Sequence, residues 1–118
     1  MKIFILEDSI ERIKRFKARF FKADLFIAES VNEAVKLFKE NYPFDVIFLD
    51  HDLGGEEMVE SVNENTGYQF SKFISGYDLK GVDIIVHSLN PQGADNIIQL
   101  LKGNDIRSRR VPFTALFS

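Results

Sequence analysis

The chain has 118 residues, a length that predicts one domain spanning residues 1–118. Cysteine is absent, which excludes disulfides, thiolate metal sites and cysteine nucleophiles. The net charge of −3 gives no general case for nucleic-acid binding, so we expect no extended nucleic-acid surface. The longest apolar runs are too short to span a bilayer, and the first residues reach acidic side chains too early for a secretory signal. We therefore expect a cytoplasmic protein without a membrane partner.

Short apolar runs alternate with helical patterns along the whole chain. Buried strands are predicted at residues 2–6, 24–28, 45–50, 82–87 and 106–113. Helices are predicted after the capping residues Ser9 and Ser30, over residues 67–78, and from Pro91 to Gly103. Residues 114–118 are too few for a full final helix, which we expect to be absent or vestigial.

This order of elements predicts an α/β fold. Strands that alternate with helices imply right-handed crossovers and a parallel sheet. Five strands suit a single doubly wound sheet of the flavodoxin-like order 2-1-3-4-5. Ligands bind such sheets beyond the carboxyl ends of the strands, near the switch between strands 1 and 3. The candidate site should therefore lie at that edge.

Charge is unevenly placed along the chain. Six basic residues crowd the first helix, and we interpret them as a solvated helix face: Arg12, Lys14, Arg15, Lys17, Arg19 and Lys22. Between Lys39 and Lys72 there is no lysine or arginine, but there are eight acidic residues. This acidic stretch passes the end of strand 3 and a long loop, and loops of that length are usually functional or mobile.

Acidic side chains follow two strands that are neighbours in the predicted order. Glu7 and Asp8 follow strand 1, and Asp50 and Asp52 follow strand 3. Clustered carboxylates repel one another, and a cation placed among them relieves that repulsion. One interpretation is that the acids only cap the following helices. The alternative, which we favour, is a divalent metal site for Mg²⁺ or Mn²⁺ formed by these four residues.

These residues and the order of elements resemble response-regulator receiver domains over almost the whole chain. The resemblance matches Glu7 and Asp8 to the acidic pair of receivers, Asp50 to the phospho-accepting aspartate, Gly67 to the glycine that opens the next helix, and Ser88 to the residue that ends strand 4. Two features depart from the receiver pattern. Val111 stands before Pro112 where receivers have a lysine, for which Arg109 or Arg110 is a candidate substitute, and Gly54 replaces the usual proline.

Both histidines of the chain fall at predicted strand ends. His51 follows Asp50, and His87 precedes Ser88. Histidine transfers protons near neutral pH and also ligates transition metals, and a receiver needs neither property. The motifs HDLGG (51–55) and HSLN (87–90) are similar to those of the cyclic-phosphate-processing receiver family, whose members are thought to act on cyclic phosphate ends or nucleotides.

Two main hypotheses follow, with different partners. The first is a metal-dependent phosphoesterase that acts on a phosphate-containing small molecule or an RNA end. His51, His87 and Asp50 would be catalytic, Ser88 and Asn90 would orient phosphate oxygens, and the four acids would hold the metal. The second is a stand-alone receiver that a histidine kinase phosphorylates on Asp50. A receiver that only binds partners is the remaining alternative.

Overall fold

Five strands alternate with five helices in the computed structural model, which describes residues 1–117. The strands are β1 (Lys2–Leu6), β2 (Asp24–Ala28), β3 (Val46–Leu49), β4 (Asp83–Val86) and β5 (Arg109–Arg110). The helices are α1 (Ile10–Arg19), α2 (Val31–Asn41), α3 (Gly67–Ile74), α4 (Pro91–Gly103) and α5 (Phe113–Leu116). The predicted α/β alternation is confirmed.

The strands form one parallel sheet in the order β2-β1-β3-β4-β5. This is the flavodoxin-like order predicted from the sequence. In the register of the three central strands, Leu6 lies beside Leu49, and Leu49 lies beside Val86. The last residues of β1, β3 and β4 are therefore aligned across the sheet, and whatever follows them shares one edge.

Strand β5 is much shorter than predicted. The expected strand at 106–113 is wrong in its length, because only Arg109–Arg110 forms a strand beside β4, and beyond it the N–H groups of Val111 and Phe113 donate to the carbonyls of Val86 and His87. The N–H of Ile106 donates to the carbonyl of Leu101 and so closes the end of α4 instead of joining the sheet. Pro112 has no N–H to donate and precedes the four-residue α5. That short helix agrees with the vestigial last helix that was predicted.

The helices begin at the polar residues that the sequence offers as caps. The side chains of Ser9, Ser30, Thr66 and Asn90 each accept a hydrogen bond from a backbone N–H in the first turn of the following helix. Helix α3 ends at Ile74 and not at residue 78, because the chain turns at Ser75 and Gly76. Within residues 1–117, no helix combines the length and apolar character that a membrane span requires.

Phenylalanine fills the core on both faces of the sheet. On one face Phe4 of β1 packs against Phe38 of α2 and Phe70 of α3, in a cluster that α4 also joins. On the other face Phe16 of α1 packs on Phe48 of β3. Such rings bury large apolar areas, so each layer of helices is held against the sheet mainly by aromatic burial.

The loop between β3 and α3 folds back over the ends of the strands. An antiparallel bridge between Asp52 and Thr66 closes the loop at its base. Gly54 and Gly55 have φ angles of +74° and +77°, a conformation that glycine adopts without strain. Asn65 accepts a hydrogen bond from the N–H of Val31 and ties the loop to α2. The acidic loop thus forms one wall of the candidate site.

Gly67 fixes how closely α3 approaches the end of β3. A Cβ at this position would lie 1.8 Å from the carbonyl oxygen of Asp50. We expect Gly67→Ala to lower the free energy of unfolding by about 3 kcal/mol or more, because a backbone clash has no flexible neighbour to relieve it. Urea denaturation measures this. Gly103→Ala is the matched control, because its Cβ would meet no atom within 4 Å. Equal stability of the two variants would contradict the close contact.

Candidate active site

Three ionisable side chains stand side by side where the central strands end. Glu7, Asp50 and His87 each follow the last residue of a strand. The ladder continues through them, because the N–H of Asp50 donates to Leu6 at 3.1 Å and that of His87 to Leu49 at 3.0 Å. Each of the three offers a ligand atom, and these atoms lie within 4.8 Å of one another. The convergence follows directly from the register.

Glu7 and His87 form a fully buried pair. The Nε2 of His87 lies 2.9 Å from Oε1 of Glu7, and Oε2 of Glu7 accepts the backbone N–H groups of Asp8 and Ser9. Burial tends to raise the pKa of Glu7, but the hydrogen bond and charge of His87, with the Ser9 N–H and Arg12, hold that pKa below its usual value. Glu7 is therefore an ionised carboxylate, and His87 donates to it from Nε2.

The ring of His87 lies among aromatic side chains. Its centroid is 5.3 Å from that of Phe16 and 6.3 Å from those of Phe48 and Phe113. Its Nδ1 is buried and has no hydrogen-bond partner among the residues that the structure describes. The neighbours of His87 therefore direct its polar chemistry through Nε2, toward Glu7.

Asp50 is a buried carboxylate with an unusual affinity for protons. Burial, followed by the charge of Glu7, raises the pKa of Asp50 from 3.8 to about 8. The charge of Arg12 and the N–H of His51, which donates to Oδ1 at 2.8 Å, act in the opposite direction. A divalent cation beside Asp50 would lower this pKa and favour the ionised form.

Arg12 is the one site residue that the sequence interpretation placed elsewhere. It was expected on a solvated helix face, but its Nη1 lies 3.7 Å from Oε1 of Glu7 and 3.8 Å from Oδ2 of Asp50. Its guanidinium also covers the ring of Phe113 at 5.3 Å. The interpretation failed because Ser9 starts α1 at the edge of the site, which brings the first turn beside the carboxylates. No hydrogen bond of the guanidinium is found within residues 1–117.

Neither Arg109 nor Arg110 takes the place of the missing lysine. Arg109 pairs with Asp83, at the opposite end of β4. Arg110 donates from Nε and Nη2 to the carbonyl oxygen of Ser88, so it braces the backbone. Val111 packs in the apolar layer beneath α1. Arg12 is thus the cation that faces Asp50.

A cavity of about 360 Å³ opens beside these groups. Its wall contains most of the residues predicted for the site: Asp8, Asp50, Asp52, Ser88 and Asn90. Arg12 and Ser9 line it from α1, and Glu56 and Glu57 line it from the loop. Both histidines and Glu7 lie behind this wall. The volume is in the range of small-molecule sites.

His51 supports Asp52 from behind the cavity wall. Its Nδ1 lies 2.7 Å from Oδ1 of Asp52, and its Nε2 lies 2.8 Å from Oγ of Ser61. Because a carboxylate only accepts, the proton of the imidazole is on Nδ1, and Nε2 accepts the Ser61 hydroxyl. Burial tends to raise the pKa of Asp52, but hydrogen bonds from His51, Asn90 and the Met58 N–H lower it. Asp52 is therefore an ionised carboxylate of fixed orientation.

The remaining predicted site residues form hydrogen bonds with neighbouring groups. Oδ2 of Asp8 accepts the N–H of Gly55 at 2.7 Å, which holds the loop over the cavity. Asn90 caps α4 through Oδ1 and donates from Nδ2 to Asp52 at 3.0 Å. Ser88 accepts the N–H of Asn90 through its hydroxyl, which leaves the hydroxyl proton available to a ligand.

The donor atoms present fit a divalent cation. Glu7 and Asp50 supply carboxylate oxygens, which suit Mg²⁺ or Mn²⁺, and the His87 nitrogen adds a donor that Mn²⁺ accepts more readily than Mg²⁺ does. Burial and, after it, the charge of Glu7 raise the pKa of Asp50, and a cation placed beside this carboxylate would oppose both effects. Asp8 and Asp52 stand nearby in the cavity wall and complete the acidic set predicted from the sequence.

Solved structures share the fold at low sequence identity. The N-terminal domain of a response regulator from Carboxydothermus hydrogenoformans is 19% identical, with a TM-score of 0.66, 98% of this chain covered and 83% of that one. The chemotaxis protein CheY4 of Vibrio cholerae is 18% identical, with a TM-score of 0.64 and coverage of 98% and 92%. The response regulator TrrA of Thermotoga maritima, solved in complex with Mg²⁺-BeF, is 18% identical, with a TM-score of 0.65 and coverage of 93% and 84%.

The family itself is identified over most of the chain. No curated protein matches the sequence. Residues 1–103 match the family described as the cyclic-phosphate processing receiver domain, and they include every predicted site residue. The receiver fold, the acidic strand ends and this match agree with one another. The chain belongs to the family of cyclic-phosphate processing receiver domains.

Proposed function

We propose that this protein is a metal-dependent phosphoesterase that opens a cyclic phosphate. The observation that carries the proposal is the cavity in which the guanidinium of Arg12 lies 3.8 Å from Asp50, with Ser88 in the same wall. A cation, a hydroxyl and carboxylates around one small cavity are the groups that phosphoryl chemistry requires. The family match adds the class of substrate.

Arg12 and Ser88 recognise the phosphate. A guanidinium presents paired N–H donors, whose geometry matches two phosphate oxygens. Arg12 is held by ion pairs of 3.7 and 3.8 Å and by the ring of Phe113, so its donors remain available to a ligand. Ser88 adds one O–H donor. Asn90 orients Asp52, and its predicted contact with phosphate is an additional role within this proposal.

The metal would be held by Asp50 together with Glu7, or together with Asp8 in the cavity wall. A divalent cation bound there, Mg²⁺ or Mn²⁺, would neutralise charge on the phosphoryl oxygens. Among the chain's own residues, Glu7 keeps its ionised form because His87 donates to it. The pair thus maintains a negative carboxylate where a cation is needed.

Asp52 is the residue that we assign to proton transfer from water. It is an ionised carboxylate in the cavity wall, oriented by His51 and Asn90. Water that attacks phosphorus loses a proton to Asp52, and the bond from phosphorus to one ring oxygen breaks. The departing alkoxide takes a proton from solvent, to which Asp52 then releases its own. His51 acts through Asp52, and His87 acts through Glu7. Direct proton transfer by the two histidines, as predicted from the sequence, is the alternative mechanism.

Turnover of cyclic nucleotides by the wild type and by His51→Ala and His87→Ala tests both the activity and the mechanism. We expect hydrolysis of a 2′,3′-cyclic nucleotide in Mg²⁺ or Mn²⁺, and a loss of roughly 10²-fold in turnover for each variant, typical of a lost proton-transfer or positioning group. His87→Ala should also weaken metal binding, because Glu7 loses its donor, whereas His51→Ala should not.

The outcomes of this assay separate the alternatives. Absence of turnover on every cyclic nucleotide would remove the enzyme hypothesis. Unchanged turnover in both variants would leave the enzyme standing and discard both histidine roles. If the histidines transfer protons directly, loss of His87 should reduce turnover without changing the affinity for metal, which calorimetry measures.

A stand-alone receiver phosphorylated on Asp50 is the second candidate function. The position of Asp50 at the end of β3, with Ser88 at the end of β4, is the observation that favours it. A histidine kinase would then be the partner. Two features argue for slow phosphorylation. Burial of Asp50 beside Glu7 disfavours its anionic form, which is the nucleophile. Val111 stands where receivers have a lysine, so no lysine at that position offsets the charge of a phosphorylated Asp50.

A further inference from the structure

A carboxylate, an imidazole and a hydroxyl stand in line behind the cavity wall. Nδ1 of His51 lies 2.7 Å from Oδ1 of Asp52, and its Nε2 lies 2.8 Å from Oγ of Ser61. Because Nδ1 holds its proton toward the carboxylate, Nε2 is an acceptor, and the Ser61 hydroxyl donates to it. These three groups in this order are the arrangement that makes a serine hydroxyl a nucleophile.

The imidazole of His51 is held in one orientation. The ring is fully buried, and Gly93 of α4 packs so closely on it that a Cβ there would lie 2.4 Å from Cγ of His51. Asp52 accepts hydrogen bonds from Nδ2 of Asn90 and from the N–H of Met58. A carboxylate fixed in this way keeps the acceptor nitrogen of the imidazole aimed at the hydroxyl.

Ser61 lies where this line of groups reaches the surface. It stands in a turn that the N–H of Asn63 closes on the carbonyl of Glu60, and its own carbonyl accepts from Nε2 of Gln69. Two open grooves, of about 550 and 640 Å³, are both lined by Ser61 and Asn96. Ser61 is half-buried, so a small molecule in either groove lies beside this residue.

Asn96 supplies a hydrogen-bond donor beside the hydroxyl. Its Nδ2 donates to Oγ of Ser61 at 2.9 Å and carries a second N–H. A carbonyl carbon that bonds to Oγ brings its oxygen within reach of this amide. Amide donors in such a position stabilise the negative charge that develops on the oxygen during acyl transfer.

The grooves beside Ser61 favour a neutral, apolar ligand. Met58 lines one groove and Val62 the other, and these side chains are 62% and 80% exposed. Glu60 and Lys72 place one charge of each sign in separate grooves, so neither sign dominates. Exposed apolar side chains around an open groove suit an aliphatic group. The lining therefore indicates an ester with a short aliphatic acyl chain.

We propose that Ser61 is the nucleophile of a second active site, which hydrolyses small carboxylic esters, with His51 as its base and Asn96 as the oxyanion donor. Oγ of Ser61 attacks the carbonyl carbon, and its proton passes to Nε2 of His51. The bond to the alcohol oxygen breaks, and the alcohol leaves with that proton. Water then attacks the acyl group and gives a proton to Nε2, and the carboxylic acid departs as Oγ regains the proton.

This inference does not rest on the proposed function, although both sites use His51 and Asp52. The nucleophile, the base and the oxyanion donor are side chains of the protein, so ester hydrolysis should continue in a metal chelator. The metal-dependent hydrolysis of a cyclic phosphate should stop there. Measurements with and without a chelator therefore distinguish failure of one activity from failure of the other.

The test uses the full chain in a metal chelator, with p-nitrophenyl acetate as the substrate and a fluorophosphonate as a covalent probe. Ser61→Ala removes the nucleophile, and Asn96→Ala removes the oxyanion donor. Ser75→Ala is the matched control, because Ser75 is also half-buried but its hydroxyl donates to the backbone carbonyl of Ser71. Mass spectrometry locates the probe on the chain.

We expect the wild type to hydrolyse the ester and to carry the probe on Ser61. Ser61→Ala should lower kcat/KM by roughly 10²-fold or more and abolish labelling. Asn96→Ala should lower kcat by roughly 10²-fold with little change in KM, because its amide acts on the oxyanion and not on the bound ester. Ser75→Ala should behave as the wild type does.

A label on any residue other than Ser61, or none at all, would overturn the inference, as would equal ester hydrolysis by the wild type and Ser61→Ala. If Ser61→Ala does not fold, Ser61→Cys replaces it, because the chain has no other cysteine. The new thiol should react with iodoacetamide about tenfold faster than that of Ser75→Cys, since the neighbouring imidazole favours the thiolate. Equal rates in these two variants would overturn the inference.

Discussion

We expect Asp50→Asn to make the metal-free protein more stable than the wild type at pH 8, by about 2 kcal/mol in the free energy of unfolding. Burial and the charge of Glu7 raise the pKa of Asp50 from 3.8 to about 8 in the folded protein. The folded state therefore retains a proton that the unfolded state releases. Stability from this group is complete below pH 3.8 and is lost as the pH rises through about 8.

The pH dependence distinguishes this effect from a general gain in packing. The wild type should lose stability between about pH 4 and pH 8, and Asp50→Asn should lose less, because asparagine carries no charge. Thermal unfolding in a metal chelator measures both, and the gap at pH 8 should be roughly 5–10 °C. Asp24→Asn, an exposed carboxylate at the start of β2, is the matched control.

Adding a divalent metal should reverse the order of stability of the wild type and Asp50→Asn. Mg²⁺ or Mn²⁺ should stabilise the wild type and not Asp50→Asn, because a ligand that binds only the folded state raises its stability. If Asp50→Asn is no more stable than the wild type at pH 8 in the chelator, the raised pKa of Asp50 is contradicted. So would a gain that is the same at every pH.

The largest loss of activity is expected from Arg12→Gln. In the proposed function Arg12 is the cation that faces the phosphate, so we expect its removal to lower kcat/KM for 2′,3′-cyclic AMP by roughly 10²-fold or more. Arg12→Lys should recover only part of that loss, because an ammonium keeps the charge but lacks the paired donors. Steady-state kinetics measures both variants, with Lys14→Gln on the exposed face of α1 as the control.

Metal binding should move in the opposite direction in Arg12→Gln. Arg12 lies 3.7 Å from Glu7 and 3.8 Å from Asp50, so its loss leaves those carboxylates more strongly repelling and more receptive to a cation. We expect metal affinity to rise while turnover falls, which a misfolded variant would not do. Unchanged turnover in Arg12→Gln would contradict the role in phosphate recognition.

The fold could be predicted from the sequence because the patterns that indicate it are local. Apolar runs of four to six residues, capping serines at Ser9 and Ser30, and acids at the ends of strands 1 and 3 are enough to predict the sheet order and the edge that holds the site. Strand β5 was the exception. The apolar residues of the predicted strand, Ile106, Val111 and Phe113, stand on either side of the two paired arginines, and apolar packing alone does not reveal how far backbone pairing extends.

The roles of the histidines depend on the alternation of side chains along a strand. His87 shares the register of Glu7 and Asp50, so its side chain meets theirs. His51 is one residue beyond Asp50, and successive residues point to opposite faces, so it meets Asp52 and Ser61 instead. Counting positions from the strand end separates these two environments, whereas proximity in sequence does not.

The position of Arg12 in the site could not be predicted because basic residues surround it in the sequence. Five other basic residues stand between Lys14 and Lys22, and such a cluster usually indicates a solvated face. Two signals identify it in hindsight. Val111 leaves the site without a lysine, and Arg12 is the third residue after the helix cap Ser9, which lies two residues beyond Glu7 at the end of β1. Only the tertiary structure places the Phe113 ring that supports the guanidinium.

The central claim is that the protein hydrolyses a cyclic phosphate and does not store a phosphoryl group on Asp50. Phosphorus NMR of one sample that contains the protein, Mg²⁺, 2′,3′-cyclic AMP and acetyl phosphate tests it most directly. We predict that the cyclic phosphate signal is replaced by that of a phosphomonoester, and that no acyl phosphate accumulates on the protein. A cyclic signal that persists while Asp50 becomes stoichiometrically phosphorylated would contradict the claim and establish the receiver function instead.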